Sequence, residues 1–322
     1  MTAMTDDTLQ VPPRTIRDEM IVFAVMALML AVVPLTGVYP FFVMQALCFA
    51  LLACAFNLLV GYGGLLSFGH AMFLGTAGYV SAHALKVWGL TPELGIVAGT
   101  LAACGLGIVT GLVAIRRQGI YFSMITLALS QLLYFIYLQT PFTHGEDGIQ
   151  GIPQGFLFGI FNLARPTTLY YVILAGFLLG FLLIYRAINS PFGEVLKSIR
   201  ENEQRAISLG YKTDHYKLLA YILSATLAGF AGSLKVFVAQ NASLTDVHWT
   251  MSGEVVLMTL VGGLGTVFGP VVGAFVIIAM QQYLAGFGQW VTVIQGVIFV
   301  VCVLTFRRGV VGEIAHFFRR SL

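Results

Sequence analysis

Charge is scarce in this 322-residue chain. Asp, Glu, Lys and Arg make up 10% of it, against roughly a quarter in ordinary soluble domains. With 58% apolar residues and a mean hydropathy of +0.89, a water-soluble fold would leave much of its surface apolar. The net charge is only +3, which excludes the strongly basic footprint of a nucleic-acid binder. Cysteine is equally sparse. Cys48, Cys54, Cys104 and Cys302 lie inside apolar runs with neither metal-ligand nor disulfide-framework spacing, and they read as small buried hydrophobes. There is no Gly-x-x-x-x-Gly-Lys-Ser/Thr phosphate loop, so the chain is not expected to hydrolyse ATP. Paired acids, a metal-ligand cluster and a nucleophile–base set are also missing, which argues against an enzyme and against a metal site.

What the chain has is long apolar runs. A membrane-crossing helix takes about 20 mostly apolar residues, and ten runs qualify at roughly 20–38, 40–60, 64–86, 92–114, 119–140, 168–186, 217–240, 246–262, 267–286 and 288–306. The expected fold class is all-α, a polytopic membrane helix bundle with about ten transmembrane helices. The third run and the eighth and ninth are rich in glycine and are candidates for broken or re-entrant helices, which are tolerated at membrane depth where protein or a wet cavity satisfies the backbone. The run from Met20 carries no Ala-x-Ala cleavage signal and reads as an uncleaved first span.

Lys and Arg set the orientation. With the N-terminus inside, 14 of the 17 basic residues fall on the cytoplasmic side: Arg14, Arg17, Arg116, Arg117, six between Arg186 and Lys217, and Arg307, Arg308, Arg319 and Arg320. Lys86, Arg165 and Lys235 are left elsewhere. The expected organisation is a cytoplasmic tail at 1–19, a permease domain at 20–306 and a cytoplasmic tail at 307–322. An external loop at 141–167 and an internal one at 187–216 interrupt the permease domain.

Small residues recur every fourth position in several spans. Gly99, Ala103, Gly107 and Gly111 form one strip, Ala225, Gly229 and Ser233 a second, Gly265, Gly269 and Gly273 a third, and Ala71, Gly75, Gly78 and Ala82 share a face. In lipid such strips let backbones approach closely, whether for fixed packing or as sliding surfaces. The glycine-rich Gly61–Gly78 stretch loosely echoes Gly262–Gly273, and both fall at predicted cytoplasmic ends. Polar residues inside spans are costly and are candidates for a substrate path: Asn57, Ser67, His70, Ser123, Thr126 and Gln131, with Gln281 and Gln282 beyond them. Each can equally bond to nearby backbone. His70 reads as a satisfied histidine more readily than as a proton carrier. No clear carboxylate lies in the hydrocarbon core, Glu254 being the nearest case, which argues mildly against a proton- or sodium-coupled carrier.

The internal loop is the most informative stretch. Ser190-Pro191 suits a helix start, and apolar Val195, Leu196 and Ile199 alternate with Lys197 and Arg200. A second short helix is expected over 201–209, with Gly210 as its C-cap. Such an amphipathic helix either lies on the membrane or docks into a groove of a soluble partner.

SIRENEQRAISLGYKTDHYKLLAYILSATLAGFAGSL (Ser198–Leu234) resembles the cytoplasmic coupling region of the branched-chain amino acid ABC permeases of LivM type. Three other stretches resemble the same family: Phe56–Ala82, the external THGEDGIQGIP loop (Thr143–Pro153), and VGGLGTVFGPVVGAF (Val261–Phe275). In the external loop His144 stands where glycine is expected. The broader importer signature, Glu-Ala-Ala followed three residues later by Gly, is partly met: Gln204 and Arg205 replace its first two residues, while Ala206 and Gly210 fit. The resemblance implies that Glu201, Asn202, Glu203, Arg205, Ala206, Leu209 and Gly210 contact an ATP-binding subunit. It further implies two ATP-binding subunits holding ATP and magnesium, a second related permease subunit, a periplasmic solute-binding protein and a bacterial inner-membrane location, with no cofactor in this chain. Membrane lipid is its other expected contact. Branched-chain amino acids are the first expectation for substrate, with urea or a short amide, or a self-sufficient secondary transporter, as alternatives.

Overall fold

The computed structural model describes residues 16–35, 37, 39–288, 290–305, 309 and 311. Most of both tails, and the side chain of Cys302, lie outside the described residues. Twelve α-helices occur among them: α1 (Ile16–Val32), α2 (Pro40–Asn57), α3 (His70–Lys86), α4 (Pro92–Ala114), α5 (Ile120–Gln139), α6 (Pro166–Ile188), α7 (Pro191–Glu201), α8 (Glu203–Ser208), α9 (Thr213–Ala239), α10 (Trp249–Gly262), α11 (Gly269–Leu284) and α12 (Trp290–Thr305). Among the described residues, five stretches are long and apolar enough to cross a membrane: Pro40–Tyr62, α4, α5, α6 and α9. At 1.5 Å rise per residue, the 14-residue α10 and 16-residue α11 reach only about 21 and 24 Å, short of a hydrocarbon core of about 30 Å.

The third apolar run begins later than the sequence suggests. Residues 64–69 are not helical, and α3 starts at His70. A π-helical turn over Leu58–Tyr62 carries α2 onward, and Gly64 then takes φ +70°, where a residue with a Cβ is strained. The non-helical backbone is held from outside: Phe68 N–H donates to Thr126 Oγ1 (3.1 Å), and the Leu66 carbonyl accepts from Ser123 Oγ (2.6 Å). α10 likewise starts at Trp249, because Leu244–Asp246 is spent on a 3-10 turn.

α9 and α2 are mostly enclosed, while α5 is mostly open. α9 packs along α2, α3 and α4, and α10 and α11 form a hairpin against α2. The small-residue strips supply these contacts. A Cβ on Gly107 would press into Ala225, one on Gly229 into Ala103, and one on Gly99 into Ser81, Ser233 and the Ala77 carbonyl. The Ser81 hydroxyl donates to the Gly95 carbonyl (2.9 Å) and lies 2.9 Å from the Ser233 hydroxyl. Close approach between α3, α4 and α9 thus converts directly into dispersion and hydrogen bonding. Buried Phe56, Phe73, Phe122, Phe177, Phe181 and Phe237, with Tyr170 and Tyr221, fill the remaining interior.

The all-α expectation needs one amendment. The loops at one end pair as short ribbons, β1 (Ile149–Gln150) with β4 (Asn241–Ala242), and β2 (Phe156–Leu157) with β3 (Phe161–Asn162). Glycines in the 145–159 loop supply the positive-φ turns that let it double back. Lys86 Nζ donates to the Gln150 carbonyl (2.6 Å), and Lys235 of α9 pairs with Asp246. Cys48 and Cys54 are buried and Cys104 is half-buried, all as free thiols.

Candidate functional site

The turns 63–69, 115–119 and 263–268 gather at the opposite end, beside α7 and α8. This end carries Arg116, Arg117, Arg186, Lys197, Arg200, Arg205, Lys212 and Lys217, whereas the ribbon end carries Lys86, Arg165 and Lys235 with Glu93, Glu146, Asp147, Asp246 and Glu254. α6 turns into α7 at Asn189 and Ser190, and in the first turn of α7 a Cβ on Gly193 would collide with the Ile188 carbonyl. α7 is amphipathic and buries Leu196 and Ile199.

Three attachments fix the α7–α8 segment to the bundle. Arg200 Nη1 donates to the Gly61 carbonyl at the π-helical end of α2. Glu203 pairs with Lys217 at 2.5 Å and accepts from Thr213 Oγ1 at 3.1 Å, which binds α8 to the first turns of α9. The Ala206 methyl is buried. The helix ends are well formed. The Asn202 side chain accepts from Arg205 N–H (3.0 Å) as N-cap. At the other end Gly210 N–H donates to the Ile207 carbonyl (2.9 Å) and Tyr211 N–H to the Ala206 carbonyl (3.1 Å), a Schellman closure with Gly210 at φ +88°.

Of the seven residues that the family resemblance points to in this segment, Glu201, Asn202, Arg205, Leu209 and Gly210 are exposed, and Ala206 and Glu203 face inward. Ile207, Leu209 and Tyr211, respectively 48%, 71% and 40% exposed, form an apolar outer edge beside these polar groups. Two anchors escaped sequence reasoning. Arg200 and Lys217 look like ordinary basic residues of a cytoplasmic loop, and only contacts 139 and 14 positions away reveal them. Lys217 offered one signal: it lies at the mouth of a long apolar run, where an unpaired ammonium is costly.

The six candidate path residues fall in different places. Asn57 is buried and staples α2 to the α10–α11 turn, donating to the Thr266 carbonyl (2.8 Å) and accepting from Gly265 N–H (3.0 Å). The two echoing glycine segments touch where Gly61 faces Gly265. Ser67 accepts from Gly69 N–H (3.2 Å), Thr126 donates to the Ser123 carbonyl (2.9 Å), and Ser123 and Thr126 brace the 63–69 turn. His70 is fully enclosed between Phe56 and Phe73, with Nε2 2.8 Å from Ser224 Oγ. The Ser224 hydroxyl in turn donates to the Ala55 carbonyl (2.6 Å). Gln131 on the open helix α5 has a buried amide nitrogen without a partner among the described residues. Gln281 Nε2 donates to Glu254 (3.0 Å).

Apolar helices long enough to cross a bilayer, gathered around a small-residue core with charged groups at the two ends, define a polytopic integral membrane protein. Residues 39–304 match the family model of the branched-chain amino acid transport system permease component, and the chain belongs to that family. It is 27% identical over 286 residues to the high-affinity branched-chain amino acid transport system permease protein LivM of Escherichia coli K12, an alignment covering 80% of this chain and 66% of that protein. The chain thus spans just under two thirds of that relative's length. It is 25% identical over 256 residues to the probable branched-chain amino acid transport permease protein LivH of Methanocaldococcus jannaschii, covering 73% of this chain and 79% of the relative. It is also 26% identical over 209 residues to the autoinducer 2 import system permease protein LsrC of Yersinia pseudotuberculosis YPIII, covering 61% and 56%. No solved structure shows significant similarity to the chain.

Proposed function

We propose that this chain is the membrane-spanning permease subunit of an ABC importer for branched-chain amino acids in a bacterial inner membrane. In this reading a periplasmic binding protein delivers substrate at the ribbon end, and a second, related permease completes the path. Two separate ATPase subunits, holding ATP and magnesium, act on the α7–α8 segment. Both termini and the 187–216 loop face the cytoplasm, the 141–167 loop faces out, and the chain does no covalent chemistry itself.

The observation that carries the proposal is mechanical. α8 presents an apolar edge outward while its inner side is joined to α9 through Glu203–Lys217, and α7 is joined to α2 through Arg200. A partner that seats on Ile207 and Leu209 therefore pushes on two central helices, which is what a coupling element requires. LivM and LivH relatives favour branched-chain amino acids as cargo. Gln131 is the path residue we favour, because its amide nitrogen is uncommitted.

The test is uptake by proteoliposomes holding the chain with its cognate ATPase, second permease and binding protein, against a panel of leucine, isoleucine, valine, urea and short amides. ATP-dependent leucine uptake is expected. Uptake by this chain alone under a proton or sodium gradient would overturn the proposal in favour of a secondary transporter. Reporter fusions after Gly148 and Arg205 check the orientation, with periplasmic activity expected only for the first.

A further inference from the structure

The ribbon-end loop between α5 and α6 ends in an apolar tip that none of the described residues covers. Residues 148–164 contain no charged side chain. Within them β2 and β3 form a hairpin whose Phe156, Phe158, Ile160 and Phe161 are 56%, 68%, 76% and 51% exposed. The turn itself is unusual. Phe158 and Gly159 both take positive φ (+52° and +71°), and Ile160 N–H donates to the Leu157 carbonyl (3.1 Å). Asn-Gly is the ordinary choice where both central residues need positive φ, and a bulky aromatic there is strained. The chain thus holds an aromatic at the tip in spite of its backbone.

The hairpin also has a defined depth. Gly155 lies against Pro92, and Phe158 N–H donates to Glu93 (3.3 Å) in the first turn of α4. The tip therefore sits where α4 enters the apolar zone. Directly along α4, Leu94, Val97 and Leu101 are exposed, as are Val87 and Trp88 on the adjoining turn. β3 leans on α6, whose outer face exposes Tyr171. An uncharged aromatic tip continuous with the lipid-facing sides of two long helices matches the aromatic girdle of membrane interfaces.

We propose that the 156–161 hairpin is a membrane anchor whose tip enters the interfacial layer of the leaflet at the ribbon end. The ligand is phospholipid, held by burial of aromatic surface rather than by charge, and the anchor fastens the external loop at a fixed depth. This inference rests on the membrane-spanning reading of α4 but on neither the substrate nor the ATPase assignment.

The full chain is prepared with Trp88→Phe, Trp249→Phe and Trp290→Phe, a single tryptophan is introduced as Phe158→Trp, and the protein is placed in phosphatidylcholine nanodiscs. Lipids brominated near the headgroup are expected to quench its emission about twofold or more, with acrylamide quenching it weakly, as for a residue at interfacial depth. Strong acrylamide quenching without bromine quenching would overturn the anchor. So would protection from both quenchers, which would mean that protein covers the tip. Ile160→Trp repeats the measurement should Phe158→Trp not fold. Leu101→Trp on α4 should be quenched by lipid brominated deep in the chain. Its quenching beside a tip that bromine does not reach would sink the anchor alone and leave the membrane-spanning reading standing.

Discussion

Replacing Glu203 with alanine tests the attachment of α8 most sharply. The substitution deletes the carboxylate that pairs with Lys217 at 2.5 Å and accepts from Thr213 at 3.1 Å. The Lys217 side chain is 4% exposed, so its ammonium is left enclosed without its counter-charge. Breaking a buried pair from one side costs about 3–5 kcal/mol. The Glu203 side chain is itself 18% exposed, so Lys217 regains part of that cost by turning toward water along the vacated path, leaving about 2–3 kcal/mol. At about 1.4 kcal/mol per decade, the docked-to-undocked ratio of α8 falls roughly 30- to 150-fold. Hydrogen exchange in nanodiscs reads this directly, because the 206–211 amides exchange through local opening and should speed up by that factor. The double variant Glu203→Ala, Lys217→Met leaves no charge unpaired, and removing both partners is close to neutral, so its exchange should return to within about tenfold of wild type. A single variant that exchanges like wild type, or a double variant as fast as the single, would refute the reasoning.

Four further outcomes are expected. Asn57→Leu leaves Gly265 N–H and the Thr266 carbonyl unpaired at a buried junction, at about 1–3 kcal/mol each; the thermal midpoint in detergent should drop, and by less for Asn57→Asp, which keeps the acceptor. Gly99→Val forces a side chain into Ser81, Ser233 and the Ala77 carbonyl, whereas Gly105 on the same helix faces open space. Gly99→Val should therefore cost about 1–3 kcal/mol or more and lower the yield of monodisperse protein, while Gly105→Val should not. Gly210 has nothing within 4 Å and needs a left-handed backbone, so Gly210→Asn should preserve coupled uptake and Gly210→Val should lose about 1–3 kcal/mol of local stability. Ala206→Trp should uncouple ATP hydrolysis from uptake, since the buried methyl leaves no room; equal uncoupling in Gly210→Asn would count against a purely conformational role for that glycine.

The amino-acid sequence by itself determined the membrane class, the approximate positions of the long apolar helices and the amphipathic character of the 187–216 loop. These follow from hydropathy and from the 3.6-residue period, which are local properties. It also marked the Gly99 and Ala225 strips as contact surfaces, because in lipid only small residues allow backbones to close. Only the tertiary structure decided which polar residues are committed. The Asn57 amide is hydrogen-bonded to Thr266, 209 positions away, and Arg200 and Lys217, counted from the sequence only as basic residues of the 186–217 stretch, are joined to Gly61 and Glu203. The displaced start of α3 has the same origin. Residues 64–69 are apolar and glycine-rich enough to continue a helix, but the hydrogen bond from Phe68 N–H to Thr126 and the one from Ser123 to the Leu66 carbonyl hold them non-helical. Pairings between residues distant in sequence leave no trace in local composition, since any one of several polar partners satisfies the same donor. Which partner is met depends on where whole helices come to rest.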